Sequence, residues 1–120
     1  SSARAKSGRT RYVRLFPERV FYMLDQLTER ELAAALRLSL AYVIADGDLP
    51  ADDRRLASVT KLSAKAWAEL RDKLLLLGLG RMEAGQWIDD DQLANLKIQR
   101  RVSEAGKRAA TARWGASDAA

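Results

Sequence analysis

The sequence predicts a mainly α-helical fold with one small β-hairpin, and three observations lead to it. Apolar residues recur at spacings of three and four along most of the chain, which is the period of an α-helix. Two short helical segments meet at a polar turn near residues 60–62, and a glycine-punctuated stretch that suits a hairpin follows at 79–89. This order predicts a winged helix-turn-helix, with an N-terminal helix before it and a basic C-terminal helix after it.

Composition sets the predicted boundaries within the 120 residues, which suffice for one domain of ordinary size. Residues 1–14 predict a basic flexible arm, because most of them offer nothing to bury. The winged-helix domain is predicted to span residues 15–90, and a C-terminal helix residues 91–105. A glycine and an alanine-rich run then predict a basic tail at 106–120 that is frayed or disordered, or that becomes ordered only on binding.

The first helix is predicted from Pro17, which suits the first turn of a helix, to about Gln26. Val20, Phe21 and Leu24 share one face of this helix, and we expect that face to be its inner side.

The second helix begins at a capping-box spacing, with Thr28 as N-cap and Glu31 reaching back, and it runs to about Ala45. Its low charge implies a nearly central place in the core. One apolar stripe is predicted to face inward, formed by Leu32, Leu36, Leu40 and Val43.

The helix-turn-helix follows a short extended link at residues 48–50. Its first helix runs from residue 51 or 52 to about Val59, and Ser63 caps a second helix over residues 64–77. In the hairpin, Ala84 and Gly85 make a two-residue turn that sets Met82 opposite Trp87 and Arg81 opposite Ile88. We interpret Trp67 and Trp87 as core and wing packing. Trp114 is isolated in a polar tail, where stacking on a base or partner and packing on the domain both remain open.

Composition argues against an enzyme. The chain has no cysteine and no histidine, so it lacks a thiol nucleophile, a thiolate metal site and the commonest general base. We therefore expect no catalytic activity, no cofactor and no metal. The aspartates at 89–91 are explained as favourable charge at a helix N-terminus rather than as a metal site.

Neither a membrane span nor a secretory signal is visible in the sequence. No apolar run approaches the roughly 20 residues that a membrane helix needs. The N-terminal residues also lack the apolar segment of a signal peptide. We expect a cytoplasmic, nucleoid-associated protein that makes no membrane contact.

The net charge of +5 hides a strong asymmetry. Residues 1–14 carry five bases and no acid, and residues 97–114 carry six bases and one acid. Residues 15–96 hold ten bases and fourteen acids, so the body is mildly acidic. Basic ends on an acidic body favour an anionic polymer as partner, and we expect double-stranded DNA. The simpler alternative is that charged ends only keep a small domain in solution.

The candidate DNA-binding residues are bases of the two ends, the helix-turn-helix and the hairpin. They are Arg4, Lys6, Arg9, Arg11, Arg54, Arg55, Lys61, Lys65, Arg71, Arg81, Lys97, Arg101, Lys107, Arg108 and Arg113. In the usual docking mode the helix 64–77 enters the major groove. Its outward positions include Glu69 and Asp72, which phosphates repel, and a Glu69–Lys73 pair explains this face as an ordinary solvated one. The basic ends are therefore the stronger candidates for affinity.

Five stretches stand in a fixed order from Phe16 to Trp114: FPERVFYMLDQLTERE, DGDLPADDRRLA, LSAKAWAELRDKLL, GQW and SEAGKRAATARWG. With them the chain resembles the YdaU-like domain family of phage and prophage proteins. The resemblance implies a winged-helix fold distantly related to DnaD-type N-terminal domains and a context of phage DNA replication or control. It implies no catalytic residues. The chain departs from the family at Ala109 and Ala110, where members usually have two glycines, and this departure favours local helix.

Two hypotheses of function follow. The first is a DNA-binding winged-helix protein of phage or prophage type that acts in replication initiation or transcriptional regulation and grips duplex phosphates with its basic ends. The second is a protein–protein interaction module that forms a homodimer or recruits a replisome or transcription partner. The sequence leaves open the DNA site, the oligomeric state, the partner and the choice between replication and transcription.

Overall fold

The computed structural model describes residues 12–119, with side chains described as far as residue 113. Within that part of the chain it contains five helices and one antiparallel hairpin. The helices are α1 (Pro17–Gln26), α2 (Glu29–Ile44), α3 (Asp53–Thr60), α4 (Ala64–Leu76) and α5 (Asp90–Ala119), and the strands are β1 (Arg81–Glu83) and β2 (Gln86–Ile88). The prediction of a mainly α-helical fold with a small hairpin is therefore confirmed.

The start of α2 is the capping box that the sequence predicted. The Thr28 hydroxyl accepts a hydrogen bond from the Glu31 backbone N–H at 3.2 Å, and the Glu31 carboxylate accepts one from the Thr28 N–H at 2.9 Å. Lys73 of α4 lies 2.9 Å from the same carboxylate, so Lys73 bridges two helices instead of pairing with Glu69 as predicted. The Thr28 N–H and then the Lys73 ammonium lower the pKa of Glu31.

The face of α2 that packs inward overlaps the predicted stripe only in part: Val43 is buried and Leu32 packs against the core, as predicted. Leu38 and Tyr42 are 3% and 0% exposed, and Ala34 lies on the same buried side. Leu36 and Leu40 are instead 38% and 51% exposed, so their assignment to the core is wrong. The leucine spacing alone favoured the other face, whereas a small side chain such as Ala34 lets neighbouring elements approach the helix closely.

The inner face of α1 was misplaced in the same way. Met23 and the following Leu27 are buried, whereas Phe21 and Leu24 are mostly exposed. Val20 is half-buried between these two groups. The apolar side of α1 is therefore wider than the core beneath it, and part of it faces solvent.

The helices α3 and α4 meet at the predicted polar turn. Asp52 and Ser63 cap them, each side chain accepting a backbone N–H at 3.1 Å. Lys61 holds the turn in the left-handed conformation, with φ of 60°. The Trp67 side chain is fully buried, and its indole N–H donates to Asp53 at 2.9 Å, which ties the two helices together.

The hairpin has the predicted register, in which Met82 lies opposite Trp87. Ala84 and Gly85 both have positive φ, 51° and 75°, as a type I′ turn requires. The buried Trp87 ring packs on Trp67 in a T-shaped arrangement with the ring centroids 5.8 Å apart. The prediction that these two rings serve packing is confirmed, since both are buried and in contact.

A third extended segment pairs with β2 on its other side. The Leu49 carbonyl accepts the Trp87 N–H at 2.8 Å, and the Ala51 N–H donates to the Gly85 carbonyl at 2.8 Å. The sequence predicted only a short extended link here, because Leu49 precedes a proline and is disfavoured in a helix. An edge position tolerates the proline, and its neighbours supply the hydrogen bonds.

The helix α5 does not end at residue 105, so the predicted boundary of a frayed tail at 106 is wrong. Alanine-rich sequence favours helix, and its two glycines, Gly106 and Gly115, cost only about 1 kcal/mol each. At 1.5 Å per residue, the 30 residues extend about 45 Å. The radius of gyration is 18.1 Å, against about 14 Å for a compact chain of this length, because α5 projects from the body.

A buried carboxylate fixes the root of α5. Asp89 is 4% exposed, accepts the Ser39 hydroxyl at 3.0 Å and the Gln92 N–H at 3.2 Å, and lies 3.6 Å from an Arg19 nitrogen. Arg19 also donates to the Leu79 carbonyl at 3.0 Å. Burial raises the pKa of Asp89, although the Arg19 charge opposes this. These contacts join four parts of the chain at one point: α1, α2, α5 and the segment that follows α4.

We predict that Arg19→Met destabilises the fold by about 3 kcal/mol at neutral pH, because it leaves the Asp89 charge buried without its cation. The loss of Arg19 raises the folded-state pKa of Asp89 further. A carboxyl with a raised folded-state pKa stabilises the folded state when it is protonated, so the deficit should shrink as the pH falls through that pKa. Urea unfolding of both proteins across pH measures it.

The matched control is Arg30→Met on the exposed surface of α2, which should change the free energy of unfolding by less than about 0.5 kcal/mol. The double variant Arg19→Met/Asp89→Asn should recover part of the loss. A deficit that stays constant as the pH falls would contradict the assigned role of the Asp89 charge.

Candidate nucleic-acid interface

Five of the predicted DNA-binding residues lie on α5, and all five are exposed: Lys97, Arg101, Lys107, Arg108 and Arg113. None of them forms an ion pair with an acid in the described part of the chain, whereas Arg100 lies 3.4 Å from Asp46. At 100° per residue, the first four lie within about 120° of the helix circumference and over about 16 Å of its length. We call these four residues the basic row.

The segment before α1 joins the molecule beside the root of α5. The Arg14 N–H donates to the Gln92 side-chain oxygen at 3.0 Å, and the Gln92 amide donates back to the Arg14 carbonyl at 2.6 Å. The side-chain amides of Asn95 and Gln99 both donate to the Tyr12 carbonyl, at 2.8 and 3.2 Å. Residues 12–14 are therefore bound to α5, and the predicted arm boundary at residue 14 is wrong.

The predicted arm residues Arg4, Lys6, Arg9 and Arg11 lie outside the described residues. The described structure begins at Tyr12, next to Asn95 and Gln99 and close in sequence to the basic row. The two basic stretches of the sequence therefore meet the fold at the same place. Sequence reasoning did not find this meeting point. It depends on side-chain amides of α5 that form hydrogen bonds with backbone groups about 80 residues earlier in the chain.

Four predicted residues lie on α3, in the turn after it and at the start of α4. Arg54 and Arg55 lie on α3, Lys61 lies in the turn, and Lys65 lies in the first turn of α4. All four are exposed, and none forms an ion pair within the described residues. Lys61 and Lys65 lie at the end of α4 that enters the groove in helix-turn-helix docking. Arg54 and Arg55 lie at the far end of α3, where the neighbouring Asp53 contacts Trp67 and Arg71 in the middle of α4.

Arg71 of α4 is occupied by acids of its own chain. Its guanidinium lies 2.9 Å from Asp53 and 2.9 Å from Asp72, and these hydrogen bonds raise the pKa of Arg71. Glu69 is exposed on the same helix. With Lys73 bound to Glu31, Lys65 is the base that α4 presents without an acidic partner among the described residues.

Arg81 of β1 is occupied in the same way. It donates to Asp90 at 2.9 and 3.1 Å and also to Glu83. These hydrogen bonds raise the pKa of Arg81, Asp90 having the largest effect. The base predicted to act in the wing is therefore neutralised locally.

An apolar cleft of about 90 Å³ opens between α1, α2 and the residues before α1. We call it the α1–α2 cleft, and its apolar lining comes mainly from Leu15, Phe16, Val20, Leu32 and Leu36. Sequence reasoning missed it because these leucines were assigned to the core. The sequence does contain an indication of this cleft. Apolar side chains lie on more than one face of α2, and a domain of this size cannot bury all of these faces.

Comparisons with protein-family models, with curated proteins and with solved structures found no match. The resemblance to YdaU-like domains therefore stays a prediction. Within the described residues, no helix combines the length and the apolar character needed to cross a membrane. The same residues contain no group of three or more side chains placed to hold a metal ion.

We predict that Gln92→Ala releases Arg14 from α5, because Gln92 both accepts the Arg14 N–H and donates to its carbonyl. Hydrogen exchange at the Arg14 amide should accelerate at least about 10-fold if that closed contact is lost. Gln99→Ala is the matched control, since it removes an amide that contacts Tyr12 and not Arg14. Equal acceleration at Arg14 in both variants would contradict this assignment.

Proposed function

We propose that this chain binds duplex DNA as a winged-helix domain of phage or prophage type that acts in DNA replication initiation or transcriptional regulation. The observation that carries the proposal is the basic row of α5, which is exposed and free of ion pairs among the described residues. The basic N-terminal stretch joins the fold beside it. Together they carry the net positive charge of the chain, because the body has more acids than bases.

The dimensions of the basic row suit a phosphate backbone. The row is about 16 Å long. One strand of B-DNA places a phosphate about every 3.4 Å along the axis, so a helix lying across the backbone meets several phosphates. Contacts of this kind hold and orient a protein on DNA without reading sequence.

The winged-helix interpretation is supported by the order of the elements. An extended segment at Leu49 to Ala51 pairs with β2, the pair α3 and α4 follows it, and the hairpin comes last. In winged-helix proteins this order places α4 as the groove-entering helix. In this chain Arg71 and Arg81 are held by acids, so α4 and the hairpin are better suited to shaping the molecule than to reading bases.

A second candidate function, a protein–protein interaction module, is favoured by one observation. Phe21 and Leu24 of α1, and Leu36 and Leu40 of α2, are between 38% and 67% exposed. Large apolar side chains grouped on two neighbouring helices are typical of a protein interface. This function and DNA binding use different surfaces, and one molecule can perform both.

We predict that the chain binds duplex DNA with an affinity that falls steeply with salt. If about six phosphates are contacted, the slope of log affinity against log salt should be about −5. Arg101→Gln/Arg108→Gln should reduce the magnitude of this slope by about 2 and weaken binding at least about 10-fold at low salt. Fluorescence anisotropy with a labelled duplex measures both quantities.

The matched control is Arg71→Gln/Arg81→Gln, which removes the same charge from bases that already have acidic partners. It should leave the affinity within about threefold and the slope nearly unchanged, because acids of the same chain already occupy both guanidinium groups. The proposal fails if wild-type protein does not bind duplex DNA at low salt. It also fails if both double variants lose affinity equally.

A further inference from the structure

The side of α5 that faces the segment before α1 carries three amide side chains, Gln92, Asn95 and Gln99. Their spacings of three and four place them on one face of the helix. Asn95 and Gln92 are 1% and 4% exposed, and Gln99 is half-buried. Buried amides are unfavourable unless their hydrogen bonds are made, so this face needs a specific polar partner. We call these three residues the amide network.

The partner of the amide network is the backbone of residues 12–14. Gln92 exchanges two hydrogen bonds with the main chain of Arg14. The Asn95 amide divides its two N–H groups between the Tyr12 carbonyl, at 2.8 Å, and the Gln92 side-chain oxygen, at 3.1 Å. Gln99 donates to the same Tyr12 carbonyl at 3.2 Å and to the Asn95 oxygen at 3.0 Å. Each amide nitrogen of the network therefore has a partner, and the segment is held through its backbone.

These contacts also fix the direction in which the segment lies on α5. Arg14 lies at Gln92, near the start of the helix. Tyr12 lies at Asn95 and Gln99, which are one and two turns further along. The segment is therefore antiparallel to α5, and the chain enters it from the direction of the basic row, which begins at residue 97.

Chain length limits how far the nearest N-terminal bases can lie from the basic row. Arg11 and Arg9 precede Tyr12 by one and three residues, so their Cα atoms lie within about 4 and 11 Å of the Tyr12 Cα. Arg101 follows Gln99, which contacts Tyr12, by two residues, or about 3 Å along the helix axis. These lengths are comparable to the Debye length of about 8 Å at physiological ionic strength, so the charges repel each other.

The fold thus holds two positively charged stretches together against their mutual repulsion. The hydrogen bonds of the amide network supply the attraction, because they tie residues 12–14 to α5. A polyanion relieves such repulsion when it brings negative charge to both stretches at once. Duplex DNA is suited to this, since it carries about one negative charge per 1.7 Å of its axis.

We infer that the amide network positions the N-terminal bases beside the basic row, so that both bind one duplex as a single site. This inference rests on the proposed DNA binding. Asn95 and Gln99 are then positioning residues: they carry no charge, and their effect on affinity passes through the N-terminal bases. A stretch that is already held in place meets phosphates at a lower entropy cost than one that must be brought there.

The test measures binding of a short fluorescein-labelled duplex by anisotropy, with and without the N-terminal bases. The network variant Asn95→Ala/Gln99→Ala keeps every base of the chain. It should nevertheless weaken binding at least about 10-fold at low salt and lower the magnitude of the salt slope by about 2. A second background replaces the four N-terminal bases by glutamine: Arg4, Lys6, Arg9 and Arg11. There the same network substitutions should change the affinity less than about twofold, because no bases are left to position.

The matched control is Gln26→Ala, which removes an exposed amide at the end of α1 and should leave the affinity within about twofold. Circular dichroism checks folding. If the network variant unfolds, Gln99→Ala alone, at the half-buried position, should show the same dependence on the N-terminal bases at a smaller size.

Two results would overturn the inference and leave DNA binding established. Equal weakening in both backgrounds means that the amides act on α5 itself, and no weakening in either means that the N-terminal bases need no positioning. A wild-type protein that does not bind the duplex would overturn the proposed DNA binding and this inference together.

Discussion

The structure depends most on the buried Asp89 carboxylate and its ion pair with the half-buried Arg19, whose guanidinium also binds Asp91. A carboxylate at 4% exposure is strongly unfavourable unless its charge and its lone pairs all have partners. Those partners come from α1, α2 and the first turn of α5, so the three helices must be in place together. The pair therefore sets where α5 starts. It also sets the position of Gln92, whose side chain is hydrogen-bonded to Arg14. Both proposed surfaces follow from that placement.

A second feature is the way in which the bases are divided. In the body, Arg19, Arg71 and Arg81 are all bound to acids of the same chain, and they stabilise helix junctions and the hairpin. On α5, the basic row has no such partners among the described residues. Unpaired and exposed bases among the described residues therefore lie both on α5 and on or beside α3 and α4, where they are Arg54, Arg55, Lys61 and Lys65. A helix-turn-helix order in a sequence does not by itself locate the binding surface.

Local signals predicted the fold well, and long-range packing accounts for what they missed. Pro17, Thr28 and Ser63 marked the helix starts because a cap is a contact between residues two to four positions apart. The buried face of α2 depends on which neighbours approach it, and the leucine pattern does not contain that information. The same holds for the Lys73–Glu31 bridge, which joins residues 42 positions apart. The sequence predicted the individual bases of the candidate site. It did not predict which of them would lack an acidic partner in the fold.

The length of α5 bears on the proposed DNA binding. Isolated helices are marginal in water, since most helical stability in proteins comes from packing of an apolar face. Beyond residue 103, nearly every described side chain of α5 is exposed, so the body contributes little to this part. Alanine at 109 and 110 keeps the intrinsic cost of helix low, because alanine is the best helix former. Phosphates bound along the basic row would add contacts to this part of the helix, so the proposed DNA binding should stabilise it.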